Sequence, residues 1–419
     1  MHPNALLELA TELLHQVLRF EAPADGVVSD FFRRHRQIGA RERLTLSETT
    51  FGVLRQRLLF QHLAQSGKGE MERRLALLGW QGNAAFLRAA LQPQEQQWLE
   101  QVQAVDRATL PERLRHNLPE WLADRLHAEL GDDFWPLVDT LNRPGGLDLR
   151  VNLLKAKRDE VQAALELAGI AAVPTAYSPI GLHLTGKPAL HKVDVFLRGE
   201  VEVQDEGSQL LALLTGARRG EMVVDFCAGA GGKTLALGAA MRNSGRLYAF
   251  DISGHRLAAI KPRLARSGLS NVYPVQIAHE RDDRIKRLAG KIDRVLVDAP
   301  CSGLGTLRRS PDLKWRQSAE SVQQMSQRQA AILASAARLL KPGGRLVYAT
   351  CSLLQAENEA IAEAFTAEQG AAFRVLPAVE ALRRAQVPAA ETLVRGDHLR
   401  LWPHRHGTDG FFAAVWERS

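Results

Sequence analysis

From Gln204 onward, short apolar segments rich in Val, Leu and Phe alternate with longer stretches of helical periodicity. That alternation leaves few options. Strands separated by helices build a parallel sheet, and a parallel sheet must be covered on both faces. Strands are expected at Met222 to Phe226, Arg246 to Phe250, Val272 to Gln276, Arg294 to Val297 and Arg345 to Tyr348. Helices are expected over Lys233 to Met241, His255 to Ser267, Ala319 to Leu340 and Ala356 to Glu368. His398 to Trp402 and Phe411 to Trp416, joined by His404 to Gly410, are expected as an antiparallel hairpin closing one edge. The fold class is α/β, a doubly wound sheet.

Two other regions precede it. Residues 1–135 predict an all-helical domain, with Leu6, Leu7, Leu9, Leu13, Leu14 and Leu18 at helical spacing. Further helical patterns cover Leu44 to Gln65, Met71 to Leu78, Asn83 to Ala90 and Pro119 to Leu130, with breaks at Gly67, Gly69, Gly82 and Pro93. A basic stretch, Arg33, Arg34, His35, Arg36, Arg41, Arg43, Arg55 and Arg57, is offset only by Glu42 and Glu48. Arginine suits bidentate contact with phosphate, so this region is expected to bind RNA. Residues 136–200 predict a small α+β subdomain, and 201–419 the doubly wound domain.

No apolar run reaches the ~18 residues of a membrane-spanning helix. Met1 to Phe20 carries Glu8, Glu12 and His15 and lacks a basic head, so it is not expected to be a signal peptide. A cytoplasmic, monomeric protein with no membrane partner is expected. The three cysteines include no CxxC pair, against disulfides and against a cysteine zinc site. No metal is expected. His404 and His406 have the spacing of a ligand pair but fall in the closing hairpin.

Val223 to Thr234 runs from an apolar strand through Cys227-Ala228-Gly229-Ala230-Gly231-Gly232-Lys233 into a helix. Such a turn lets backbone approach a ligand and aims helix N–H groups at an anion. A phosphate-binding loop would need glycine where Cys227 stands, and a dinucleotide fingerprint would need it at Thr234. Both fail. The next strand ends at Asp251, a carboxylate placed to accept hydrogen bonds from both hydroxyls of an adenosine ribose. It could instead cap the following helix, although Ser253 is available for that. The pattern is compatible with S-adenosylmethionine. Asp225 would hold the loop or contact the methionine part, and Cys227 would be a small packing residue.

Two cysteines sit just past strand ends, in Asp298-Ala299-Pro300-Cys301 and Ala349-Thr350-Cys351-Ser352. Ligands of an open parallel sheet bind outside the carboxyl ends of its strands, so both thiols should face the glycine loop. Cytosine C5 is too weak a nucleophile to take a sulfonium methyl group. A thiolate adding to C6 turns the ring into an enamine that can. Asp298, as a protonated acid near N3, would stabilise the adduct. One cysteine would attack and the other assist release, and the residues alone leave the order open. Enzymes that methylate exocyclic amines commonly carry Asp/Asn-Pro-Pro-aromatic here, and this chain has Asp-Ala-Pro-Cys.

At this point the chain resembles the Nop/Sun family of RNA 5-methylcytosine methyltransferases. The resemblance covers at least Leu149 to Arg418 and rests on Arg150-Val151-Asn152, Gln204 to Gln209, Cys227 to Thr234, Asp298 to Gly303, Pro311-Asp312-Leu313-Lys314-Trp315, Thr350-Cys351-Ser352 and Arg400 to Phe412. It implies a class I, Rossmann-like methyltransferase fold with S-adenosylmethionine as cofactor. It also implies Cys351 as the nucleophile, Cys301 as the release residue, and Lys233 and Asp298 lining the cofactor and base site. The N-terminal helices, especially Gly39 to Phe60 and Leu75 to Gln81, are similar to the family's NusB-like RNA-binding module, which implies ribosomal RNA as substrate. Transfer RNA, or an inactive assembly factor, are the alternatives. The family's loop often reads Ala-Ala-Pro-Gly-Gly-Lys, whereas this chain has Ala228-Gly229-Ala230 before Gly231-Gly232-Lys233. After the third strand the family often has an adenine-contacting aspartate. This chain reads Gln276-Ile277-Ala278-His279-Glu280, with His279 expected at the surface.

Overall fold

In a computed structural model spanning Met1–Ser419, the chain divides into two compact units. One comprises Met1–Pro144 together with Thr306–Ala319, and the other Gly145–Gly305 with Glu320–Ser419.

The second unit holds a nine-stranded mixed sheet. Off its main path Phe373–Val375 pairs with Phe411–Arg418, and the path itself runs Val394–Arg395, His398–Leu401, Phe411–Arg418, Leu340–Thr350, Ile292–Asp298, Met222–Asp225, Arg246–Asp251, Val272–Gln276. The last five are mutually parallel. Phe411–Arg418 lies antiparallel to Leu340–Thr350 and, with His398–Leu401, forms the closing hairpin. Alternate residues feed opposite cores. Val223, Leu247, Ala249, Leu296, Val347 and Val415 pack on one face, and Val224, Phe250, Val295, Val297, Leu346 and Trp416 on the other. Both faces are buried, which is why these strands are almost continuously apolar. Each such side chain, once buried, stabilises the fold by roughly 1.5–3 kcal/mol.

Leu147–Val151, helix Arg158–Leu167, Ala172–Pro174, Gly181–Leu184, helix Asp194–Leu197 and Val201–Val203 form a separate antiparallel sheet in β-α-β-β-α-β order. With the first strand between Gly181–Leu184 and Val201–Val203, the pattern is ferredoxin-like. Polar residues fasten it to the large sheet's helices. Asn152 Nδ2 donates to the carbonyls of Gly199 and Ser267, each at 3.0 Å. The buried Arg150 donates to Gln204 Oε1 at 2.7 Å. Arg263 and Arg266 both ion-pair with the buried Glu202.

The first unit is helical. Leu6, Leu7, Leu13 and Leu14 of Pro3–Val17 are among the most buried side chains of its core. Leu44 to Gln65 is not one helix. The backbone leaves helical geometry at Gln56, giving Ala40–Arg55 and Arg57–Ala64. Thr306–Ala319 belongs to this unit, and Trp315 packs on its core. Asp312 Oδ2 accepts from Ala24 N at 3.1 Å, satisfying a donor at the start of helix Ala24–Arg34, where Pro23 supplies no side-chain cap. Lys314 Nζ donates to Arg55 O and Trp315 Nε1 to Leu54 O, both at 2.8 Å.

The basic stretch is narrower than its sequence suggests. Arg55 is buried and donates to Arg308 O at 3.0 Å, and Arg57 stacks on Phe20 and Trp315. Arg43 donates to Ile38 O and lies over Phe32. The exposed arginines are Arg33, Arg34, Arg36 and Arg41. No helix is long and apolar enough to cross a membrane.

Candidate active site

The chain leaves Met222–Asp225 through a tight turn and enters helix Gly232–Ala240. Gly231, just before the helix, has φ +87°, and a Cβ there would lie 2.9 Å from Ile260 Cγ1. Only glycine satisfies both conditions. Ala228 N donates to Phe250 O, and Gly229 N to Asp251 Oδ2, each at 2.8 Å. The other Asp251 oxygen accepts from Ser253 N at 2.7 Å. Ser253, not Asp251, caps helix Gly254–Ser267. Asp251 is thereby an oriented carboxylate at the carboxyl end of its strand. Arg263, held by Glu202, donates to the carbonyl of Ala230. Where the family's loop has proline, this turn is steadied from outside.

After the third strand, Ala278 N donates to Asp282 Oδ2 at 2.9 Å, and the exposed His279 accepts from Arg281 N. In the closing hairpin His406 Nδ1 accepts from Trp402 N at 2.9 Å, while Nε2 lies 3.0 Å from Thr392 O. Both nitrogens of His406 are thus engaged in holding the hairpin.

Asp225 is buried. One carboxylate oxygen accepts from Thr234 Oγ1 at 2.7 Å, and the other is buried with no protein donor. Burial pushes this carboxyl up to about 7, against the pull of the Thr234 hydrogen bond. Lys233 Nζ meets Asp298 Oδ2 at 2.7 Å. Burial disfavours the charged amine, but Asp298, with smaller help from Cys351 and Asp225, outweighs it and leaves Lys233 more basic than usual. Asp298, expected as an acid near the base, accepts this hydrogen bond from Lys233. Part-burial and the surrounding carboxylates of Asp225, Asp298 and Asp251 hold the Cys227 thiol well above its ordinary range, as suits a packing residue.

The strands that precede Cys301 and Cys351 are parallel neighbours, with Asp298 registered against Ala349. Cys301 Sγ and Cys351 Sγ lie 3.3 Å apart. The Cys301 thiol is pushed well above its usual range, first by the hydrogen bond to Cys351, then by burial and by the charges of Cys351 and Glu357. Either thiol can donate in this contact. Gly305 N donates to Cys351 O at 2.8 Å, and Arg400 donates to the carbonyls of Ser352 and Leu353. Ser302, Ser352, Gln329 and Glu357 form a hydrogen-bonded cluster joining the two turns and were not singled out in the sequence. The one local signal is that each cysteine is followed by serine.

The family described as 16S rRNA methyltransferase RsmB/F matches residues 212–417, and the RsmF/B-like ferredoxin-like domain matches residues 118–191. A ribosomal RNA small subunit methyltransferase B of Sodalis glossinidius is 36% identical over 61% of this chain and 58% of its own. The protein of that name from Vibrio cholerae is 31% identical over 74% of this chain and 68% of its own. The crystal structure of PH0851 superposes with a TM-score of 0.81 at 26% identity, covering 100% of this chain and 99% of that one. The large sheet and the loops bearing the paired thiols fall within the first matched stretch up to residue 417, the first three strands of the ferredoxin-like subdomain fall within the second, and the chain belongs to the RsmB/F methyltransferase family.

Proposed function

We propose that this chain is an S-adenosylmethionine-dependent methyltransferase that acts on C5 of a cytosine in small-subunit ribosomal RNA through a covalent cysteine adduct. The observation that carries the reading is the pair of thiols 3.3 Å apart at adjacent strand ends. Exocyclic-amine or ribose methylation has no use for two cysteines, whereas C5 methylation has one task for each.

S-adenosylmethionine supplies an electrophilic methyl group on a sulfonium. The turn Cys227 to Lys233 would cradle it and Asp251 would take the ribose hydroxyls. The partnerless, buried oxygen of Asp225 fits a cationic donor such as the ammonium of the methionine part. Cys351 adds to C6, and C5 becomes the nucleophile. Asp298 faces N3, with the Lys233 ammonium as the adjacent proton source. Once C5 carries the methyl group, its proton is removed and the Cys351–C6 bond breaks, a step that Cys301 assists.

The RNA reading extends to the helical unit. The exposed Arg34, Arg36 and Arg41, with Arg33 paired to Asp30, offer charge to phosphates in a NusB-like module spanning residues 1–135, followed by the subdomain at 136–200 and the methyltransferase domain at 201–419. A monomer acting in the cytoplasm fits a ribosomal substrate. The test uses two variants. Cys301→Ala, incubated with cofactor and 16S RNA, is expected to accumulate a protein–RNA adduct that survives denaturing electrophoresis. Cys351→Ala is expected to form none and transfer no methyl group. Normal methylation by Cys351→Ala would end the proposal.

A further inference from the structure

The two cysteine turns leave different strands, yet both are tied to one side chain. Ser302 N donates to Glu357 Oε1 at 2.8 Å, and the hydroxyls of Ser302 and Ser352 both donate to Glu357 Oε2. Those hydroxyls lie 3.2 Å apart. Gln329 Nε2 donates to Glu357 Oε1 at 3.0 Å and to Pro300 O, beside Cys301, at 2.9 Å. Tyr348, on the strand leading to Cys351, donates to the Glu357 carbonyl at 2.6 Å. Ser302, Ser352 and Glu357 are all within 1% of full burial.

A carboxylate in such a place costs free energy unless it is well hydrogen-bonded, and an apolar side chain would fill the space without that cost. What the carboxylate does, and an apolar group could not, is bind two separate turns at once. We propose that Glu357 is the positioning residue that sets the separation of the two thiols, locking the turn after Cys301 to the turn after Cys351 so that both sulfurs address one ring. It touches neither substrate nor cofactor and acts through Ser302 and Ser352. Attack at C6 and proton removal at C5 occur on neighbouring atoms, so a shift of either turn misaligns one step. The proposal rests on the cytosine-C5 reading for its purpose but not for its geometry.

The test has two arms on the full-length protein, wild type, Glu357→Ala and Glu357→Gln. In the first, without RNA or cofactor, diamide oxidises the Cys301 and Cys351 thiols to a disulfide. Two electrons and two protons pass to the azo bond, which becomes a hydrazine. The readout is the rate at which two of the three thiols are lost. Glu357→Ala is expected to slow this coupling about tenfold or more, because the sulfurs no longer share a fixed geometry. In the second arm, kcat for methyl transfer is expected to fall about 100-fold in Glu357→Ala. KM for RNA and affinity for S-adenosylhomocysteine should stay within about twofold of wild type, the split expected when only alignment is lost. Glu357→Gln keeps the size and one acceptor, and should recover part of both rates.

Wild-type coupling and kcat in Glu357→Ala would overturn the proposal. So would a loss of cofactor affinity as large as the loss of kcat, which marks general disruption. If the wild-type protein couples its thiols but methylates no cytosine, the C5 reading fails, and the coupling arm alone decides the role of Glu357.

Discussion

Asp225→Asn keeps the shape of the side chain and removes its ability to ionise. The carboxyl of Asp225 titrates at about 7 instead of the usual 3.8, chiefly because it is buried. The folded state therefore holds a proton that the unfolded chain releases. Below pH about 4 both states are protonated and folding is not penalised; the stability lost grows as pH rises and is complete just above the folded pKa. About three pH units at 1.36 kcal/mol each give an upper bound of about 4 kcal/mol. The variant lacks this pH dependence. Its melting midpoint, without ligand, should lie closest to wild type at pH 4.5 and pull ahead by pH 8. At about 2–4 °C per kcal/mol, the gap approaches 10 °C. Binding should change the other way. The ammonium proposed to meet the partnerless oxygen would lose a charge-assisted hydrogen bond, so affinity for S-adenosylhomocysteine by calorimetry should fall about 10- to 100-fold. A melting gap independent of pH between 5 and 8 would refute the electrostatic argument, and unchanged affinity would refute the ligand contact.

Two other perturbations have clear signs. Burial, with Arg55 adding to it, pulls the Lys314 ammonium down to about 7, so its contribution to stability is full above 10.5 and lost as pH falls through that range. Lys314→Met should raise the melting midpoint most at pH 6, by about 3 kcal/mol after the lost hydrogen bond to Arg55 O is deducted, and least at pH 10; a larger gain at pH 10 would reverse the argument. Gly231→Ala combines a left-handed backbone with a close approach to Ile260 and should cost about 2–4 kcal/mol. Cofactor binding by calorimetry should be abolished, and wild-type affinity would show that the turn tolerates a side chain.

The parallel sheet was legible because strands buried on both faces are apolar without interruption, and helices separate them. Val272–Gln276 has the bounds its pattern predicts. The strand through Arg345 is longer than expected, because the helix expected over Ala319 to Leu340 ends at Ala337. Instead Leu340 pairs with Ile292, and a register shift precedes the pairing of Arg345 with Arg294. Helix Ala24–Arg34 was not singled out: its apolar residues come as the adjacent pairs Val27-Val28 and Phe31-Phe32, and only Ala24, Val28 and Phe31 are buried. The break at Gln56 has no glycine or proline to announce it. At the site, strand-end position picked out both cysteines. Glu357 lies in Gln355-Ala356-Glu357-Asn358, a stretch with no local peculiarity, and its importance exists only where Ser302 and Ser352 meet. The inward arginines are similar. Charge is visible in a sequence, but whether a guanidinium faces solvent or Trp315 depends on contacts far along the chain.

The placement of Thr306–Ala319 in the helical unit sets an order of events during synthesis. Domains commonly fold as they emerge, the N-terminal one first. Here the helical unit lacks Trp315, the Asp312 that meets the start of helix Ala24–Arg34, and Lys314 until the first four strands of the parallel sheet have been made. Its early helices must wait, incompletely packed, for a piece of chain that arrives from the middle of the catalytic domain. A fragment beginning at Gly145 would carry that piece with nothing to pack it against. One ending at Pro144 would leave the core without it. The helical unit is therefore finished only once the Cys301 turn already exists.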